Sequence, residues 1–170
     1  MLIVLAGLPG TGKSTIARAL AAEFHAVWLR IDSIEQAIRA SGPVGDDLRD
    51  TGYRVAYAVA EDNLRHGLTV IGDSVNPWML TRNAWRDVGL RVGARVLEIE
   101  TICSDRAEHR RRIESRLIDV PGLVGPDWHA VVSRDYHAWD REHLTVDTAT
   151  RDLDACVSLV RRTVADFAPI

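Results

Sequence analysis

The eight residues Gly7-Leu8-Pro9-Gly10-Thr11-Gly12-Lys13-Ser14 constrain this chain more than any others. They stand between an apolar run, Leu2 to Ala6, and a segment where Ile16, Leu20 and Phe24, with Ala17 and Ala21, recur at the spacing of a helix with one apolar face. A strand that ends in a glycine turn and opens directly into a helix is the first half of a crossover between parallel strands. The glycines let consecutive backbone N–H groups converge, and the helix start adds the positive end of its dipole, so the turn is built to hold an anion. The spacing is GxxxxGK[ST], in which the lysine bridges the β and γ phosphates of a nucleotide and the hydroxyl beside it holds Mg²⁺. Lys13 and Ser14 take those parts, with Thr15 expected at the α-phosphate. An ordinary glycine turn is the competing reading. Against it, 20 of the 21 basic residues are arginine, and the one lysine stands where a compact point charge is wanted.

The rest of the chain continues the alternation. A second strand is expected over Val27 to Ile31, followed by Asp32-Ser33-Ile34-Glu35, whose Asp-x-x-Glu spacing predicts a capped helix start. Gly42, Pro43 and Gly45 break that helix. From about Leu48 to His66 a further helix is expected to carry Val55, Val59, Ala56 and Ala60 inward and a Glu61/Arg65 pair outward. Leu68 to Gly72 reads as a third strand ending at Asp73. A helix with Trp85 and Val88 then leads to a fourth strand, Ala94 to Ile99. Helix 105–117 holds Arg106, Arg110, Arg111, Arg112 and Arg116, too many charges for deep burial, and Pro121, Gly122, Gly125 and Pro126 follow it. Trp128, Val131, Val132 and Trp139 fit the stripe of another helix, and Leu144 to Val146 a fifth strand. Leu153, Cys156, Val157, Val160, Val164 and Phe167 stripe the last helix. The pattern implies an α/β chain with a five-stranded parallel sheet covered on both faces, whose ligands bind beyond the carboxyl ends of the strands. Asp32, Asp73 and the glycine turn all fall at such ends.

At 170 residues the chain is expected to form one domain, 1–170. Its 21 basic and 24 acidic residues leave a net charge of −3, which argues against a broad nucleic-acid surface. No apolar run approaches the roughly 20 residues a bilayer requires, and no basic residue precedes the first one as a signal peptide needs, so a cytoplasmic protein without a membrane partner is expected. Cys103 and Cys156 read as buried thiols, and no Cys/His spacing suggests zinc.

The loop at Gly7, Asp32 after the second strand, Asp73 after the third and Arg112-Ile113-Glu114-Ser115-Arg116 together resemble the P-loop kinases of small molecules. Among these the AAA-type kinases similar to chloramphenicol phosphotransferase and zeta toxins are the nearest. The resemblance spans nearly the whole chain in order and implies the three-layer sandwich of P-loop NTPases with an Arg-rich helical lid at about 105–126. It also implies ATP with Mg²⁺, a small-molecule acceptor, Asp32 as general base for the acceptor hydroxyl, and lid arginines, Arg112 and Arg116, on the transferred phosphoryl. The chain departs from the family pattern in lacking a long zeta-toxin insertion and in carrying Gly72-Asp73-Ser74 at the Walker B position.

Each candidate also has a plainer reading. Asp32 can cap a helix, Asp73 can form an Asx turn into Asn76-Pro77 instead of joining Ser14 at the metal, and Arg112 can pair with Glu108 one turn earlier. Tyr53 and Trp78 are expected near the acceptor, and Trp128 and Trp139 in the core. Three functions compete. One is a kinase of a small-molecule hydroxyl. The second is a nucleotide or nucleic-acid 5′-end kinase, whose ionised acceptor would need arginines such as Arg39, Arg49, Arg54, Arg82 and Arg86. The third is a nucleotide switch or ATPase module; a guanine switch would need a second lysine to read the base, and the chain has none.

Overall fold

Strand β1 (Leu2–Ala6) is buried along its whole length, which is why it reads as an unbroken apolar run and not as an alternation. It lies at the centre of a five-stranded parallel sheet with β2 (Val27–Arg30), β3 (Val70–Asp73), β4 (Val96–Ile102) and β5 (Leu144–Asp147), in the order β2-β3-β1-β4-β5. The helices are α1 (Lys13–Phe24), α2 (Ile31–Ala40), α3 (Thr51–Arg65), α4 (Met79–Arg91), α5 (Arg106–Ser115), α6 (Trp128–Val132) and α7 (Leu153–Asp166). This computed structural model describes residues 1–42 and 48–166; Pro43, Gly45 and Phe167, read above as two helix breakers and the end of a stripe, lie outside them.

Alternate residues of β1 feed two cores. Ile3 and Leu5 pack with Ile16 and Leu20 of α1 and Val160 of α7, whereas Leu2 and Val4 pack with Ala56 and Ala60 of α3 and Trp85 and Val88 of α4. These are the three layers of the α/β sandwich that the alternating pattern implies. The register pairs Leu5 with Asp73, so the end of β3 lies beside the loop that leaves β1. Cys103 and Cys156 are buried free thiols. No helix among the described residues is long and apolar enough to cross a membrane.

Several boundaries differ from the sequence expectation. β2 ends at Arg30 and Ile31 already begins α2, so Asp32 stands in the first helical turn and caps nothing; its charge there suits the positive helix end. In α3 the buried stripe is Gly52, Ala56, Ala60 and Leu64, while Val55 and Val59 are 40% and 39% exposed. Small side chains at four-residue spacing let this helix approach the sheet closely, which outranks the larger side chains one position away. Leu68 is exposed and β3 begins at Val70. β4 runs on to Ile102, where the buried Thr101 hydroxyl donates to the carbonyl of Ala6. α6 is only five residues long, and Trp139 lies beyond it, stacked on His143.

That displacement of Trp139 serves Arg82, a fully buried arginine on α4. Its guanidinium donates to the carbonyls of Asn76 (2.9 Å), Pro77 (3.4 Å), His137 (2.9 Å) and Ala138 (3.3 Å), with Trp139 and Tyr136 against its faces. The backbone N–H of His137 adds a 2.8 Å bond to Pro77. Arg82 thus staples the segment after α6 to the loop after β3, two pieces without regular structure of their own. Truncating Arg82 to Ala strands several carbonyls at once, each costing about 1–3 kcal/mol when buried without a partner. We expect Arg82→Ala to lose at least about 3 kcal/mol in urea unfolding, and Arg82→Lys to recover only part of it.

Candidate active site

The loop between β1 and α1 is shaped from behind. Gly7 sits where a Cβ would come within 2.2 Å of the Thr101 carbonyl, so no other residue fits there. Gly12 caps α1 in the left-handed region, at φ 94°. The Thr11 hydroxyl lies 2.8 Å from the Leu8 carbonyl and 2.9 Å from the Thr101 hydroxyl, and Thr148 donates to the Thr11 carbonyl (3.0 Å). Gly7, Leu8 and Thr11 therefore form the back of the loop. Pro9, Gly10, Gly12, Lys13, Ser14 and Thr15 line a cleft of about 960 Å³ in front.

Lys13 is only 8% exposed, and its Nζ donates to the Leu8 carbonyl at 3.0 Å. Burial pushes its pKa down to about 8, against the upward pull of the Asp73 and Asp32 carboxylates; Arg116 and Arg134 add to the lowering. Asp73 is buried as well. Desolvation raises its carboxyl, while Lys13, a side-chain contact with Ser14, and Arg30 pull it back. Trp28 donates its Nε1 to Asp73 at 3.3 Å, a partner that an Asx turn would not supply. The Ser14 hydroxyl and Asp73 carboxylate form an adjacent pair of hard oxygen donors. Mg²⁺ is commonly held by one or two protein oxygens plus waters and phosphates, and this pair fits that pattern. The described residues contain no group of three acidic, His or Cys side chains that would hold a metal alone.

Asp32, Tyr53, Asp73, Trp78, Arg112 and Arg116 all border the same cleft. Burial raises the Tyr53 hydroxyl above its ordinary pKa, with Ser74 and the Asn76 backbone pulling it back, and Trp78 donates Nε1 to Asp135 at 3.1 Å. Arg112 pairs with Glu108 at 2.7 Å, as its spacing allows, and its other nitrogens grip the Thr148 hydroxyl (2.7 Å) and carbonyl (3.0 Å). Arg116 follows the last residue of α5, and its charge helps to lower the pKa of Lys13. Despite its arginines, α5 has a buried side: Ile113 packs onto Gly10, and His109 Nε2 lies 2.7 Å from the Pro9 carbonyl, with Trp128 edge-on to its ring.

Glu35, Arg30, Asp119, Arg134 and Arg151 also line the cleft and were not singled out from sequence. Glu35 was within reach of such reasoning, being one turn after Asp32. The others come from a strand end and from irregular segments, where no periodicity announces which way a side chain turns. Conversely, Arg39, Arg49, Arg54, Arg82 and Arg86, the candidates for an ionised acceptor, are absent from the cleft wall. Arg39 faces Glu35 at 3.8 Å, Arg54 faces Asp50 at 3.9 Å, and Arg82 is the staple described above.

The lowered pKa of Lys13 has a thermodynamic sign. Between about pH 8 and the ordinary lysine value of 10.5 the folded chain has released this proton while the unfolded chain still holds it. Stability of the unliganded protein should therefore rise with pH across that window, by up to about 1.4 kcal/mol per pH unit, and be independent of this group below about pH 8, where both states hold the proton. Urea titrations of wild type and Lys13→Met check this; the substitution should flatten the rise.

Comparison with known proteins places this architecture. No curated protein sequence matches the chain. Among solved structures it is similar to a candidate kinase from Chloroflexus aurantiacus, with a TM-score of 0.77 at 24% identity over 98% of this chain and 97% of that one. It is also similar to the APS kinase CysC of Mycobacterium tuberculosis in complex with AMPPNP and APS (0.70, 18%, 97% of each). A third is Kti12 of Chaetomium thermophilum in complex with ADP-AlF3 (0.71, 19%, 98% of each). At these identities the likeness establishes a P-loop kinase-like fold. The sequence matches the family profile of the AAA domain over residues 2–121, and the chain belongs to that family.

Proposed function

We propose that the protein is an ATP-dependent phosphotransferase that moves the γ-phosphoryl group to a hydroxyl of a small molecule. The observation that carries this reading is the sharing of one cleft by the glycine loop with Lys13 and by Asp32, a carboxylate whose charge acts on both Lys13 and Asp73. An alcohol is a poor nucleophile at neutral pH, and a carboxylate that accepts its proton as the new O–P bond forms contributes roughly 10²- to 10⁴-fold. Asp32 is suited to that part because it spends no oxygen on capping α2. As the bond from phosphorus to the β–γ bridging oxygen breaks, Lys13 and the backbone N–H groups of the loop meet the charge that develops on the leaving side. Arg112 and Arg116 cover the transferred group once Arg112 leaves Thr148. Mg²⁺, held by Ser14 and Asp73 with phosphate oxygens, would neutralise phosphate charge. Within the lid expected at about 105–126, closure on this reading falls to the part after Arg116, because α5 itself is rooted on Pro9 and Gly10. The enzyme works in the cytoplasm on a diffusible acceptor, in line with the resemblance to chloramphenicol phosphotransferase and zeta toxins.

The kinases among the similar structures support a phosphotransferase, and Kti12, solved in complex with ADP-AlF3, leaves a nucleotide-binding ATPase or switch module as the second reading. Activity separates them. Purified protein with ATP and Mg²⁺, screened against hydroxylated metabolites and antibiotics, should yield a phosphorylated product, and Lys13→Ala should slow that reaction by about hundredfold or more. Asp32→Asn should lower kcat by roughly 10²- to 10⁴-fold with AMPPNP affinity and thermal stability little changed. Near wild-type kcat in Asp32→Asn would remove Asp32 as the base, and full turnover by Lys13→Ala would remove the assignment as a whole.

A further inference from the structure

Arg30, the last residue of β2, carries a charge that the reaction above leaves unused. Its side chain is nine-tenths buried, yet its ionic partner, Asp119, comes from the surface segment after α5 (Nη1–Oδ1, 2.9 Å). The other oxygen of Asp119 takes Arg18 of α1 at 2.8 Å. One carboxylate thus serves two guanidiniums, and the further negative charge that acts on Arg30, the Asp73 carboxylate, is itself engaged by Lys13. The Nε of Arg30 is buried with no acceptor among the described residues, an omission that folded proteins seldom tolerate on a charged group. Both guanidiniums lie near the indole face of Trp28, 5.8 and 5.9 Å from its centroid, and the same indole reaches Asp73 with its N–H. Arg30 borders the main cleft, and with Arg18 and Ser33 it also borders a hollow of about 240 Å³ beside it.

We propose that Arg30 and Arg18 form a site for an oxyanion, carboxylate or phosphate, carried by the acceptor whose hydroxyl meets Asp32, and that Asp119 fills this site until the acceptor arrives. The inference rests on the phosphotransferase reading and deepens it: the substrate is a hydroxylated acid. Asp32 follows Arg30 by two residues across the junction of β2 and α2, so the anion site and the base are carried by one short stretch of backbone. An incoming oxyanion replaces the charge that Asp119 supplies. With two oxygens in one plane it can engage Nε and an Nη of Arg30 together, satisfying the donor that Asp119 leaves bare. Asp119 belongs to the segment 116–127, so its release also frees that segment.

The test uses the full chain saturated with Mg²⁺ and AMPPNP, which fills the glycine loop, and inorganic phosphate as the probe. The Arg30 Nε–H signal is followed in the ¹⁵N spectrum and identified by its loss in Arg30→Lys. Phosphate should move this signal in the wild type, and Asp119→Asn should tighten phosphate binding by about tenfold, since the resident carboxylate no longer competes. Hydroxy acids should displace phosphate from Arg30 while their neutral amides do not. A silent Arg30 signal, or equal phosphate affinity in wild type and Asp119→Asn, overturns the site. Phosphate binding without displacement by any hydroxy acid overturns its assignment to the acceptor. If Arg30→Lys does not fold, Arg18→Gln still serves, because Arg18 is exposed and its loss should weaken phosphate. AMPPNP that fails to bind refutes the phosphotransferase reading; AMPPNP that binds beside an unresponsive Arg30 refutes this inference alone.

Discussion

The site is organised around an ammonium group kept under a loop, with no carboxylate of the described residues in hydrogen-bond contact. Lys13 has one carbonyl for a partner and two carboxylates that act on it through space. Such a charge is costly to hold, and the surroundings are arranged so that the cost is bearable but not cancelled. Asp73 is carried in by the pairing of β3 with β1, and Asp32 by the first turn of α2. Both approach from strand ends, because only there can side chains reach the loop without disturbing the sheet. The arginines stand farther out and add to the same deficit of negative charge, which a chain of phosphates is suited to fill.

Much of the frame was legible because it depends on patterns that repeat. The buried strand, the glycine turn and the apolar face of α1 are local statements, and they led directly to a parallel sheet with its ligand at the strand ends. What escaped was set by geometry between distant segments. The preference of α3 for Ala56 and Ala60 over Val55 and Val59 is a matter of how closely a helix can lie on a sheet, which composition does not record. Trp139 looked like the continuation of a helical stripe, whereas its ring is needed against Arg82, 57 positions earlier in the chain. Asp32 had the spacing of a cap, but the helix begins two residues sooner, with Arg30 at the cap position. The wall of the cleft was readable where it comes from motif residues. It was not readable where Arg30, Asp119 and Arg134 supply it, since their directions are fixed by tertiary contacts.

The rooting of α5 changes what closure can mean in this fold. A helix with five arginines nearby suggests a cover that swings as a body. Here His109 and Ile113 hold it to Pro9 and Gly10, so the helix and the phosphate loop move together or not at all. Any adjustment of the loop to its ligand is passed along α5 to Arg116, from which the following segment departs. On the proposed reading, nucleotide occupancy and the posture of that segment would be coupled through one imidazole and one isoleucine.

The near-total replacement of lysine by arginine also governs how this protein meets covalent chemistry. Its surface offers guanidiniums, which acylating reagents, aldehydes and lysine-modifying enzymes ignore, and the single side-chain amine lies inside the phosphate loop. An amine with its proton affinity lowered to about 8 is nucleophilic near neutrality once it is reached. Attachment through side-chain amines, whether to a solid support, a dye or a small acyl group, would therefore fall on the centre of the molecule and not on its periphery.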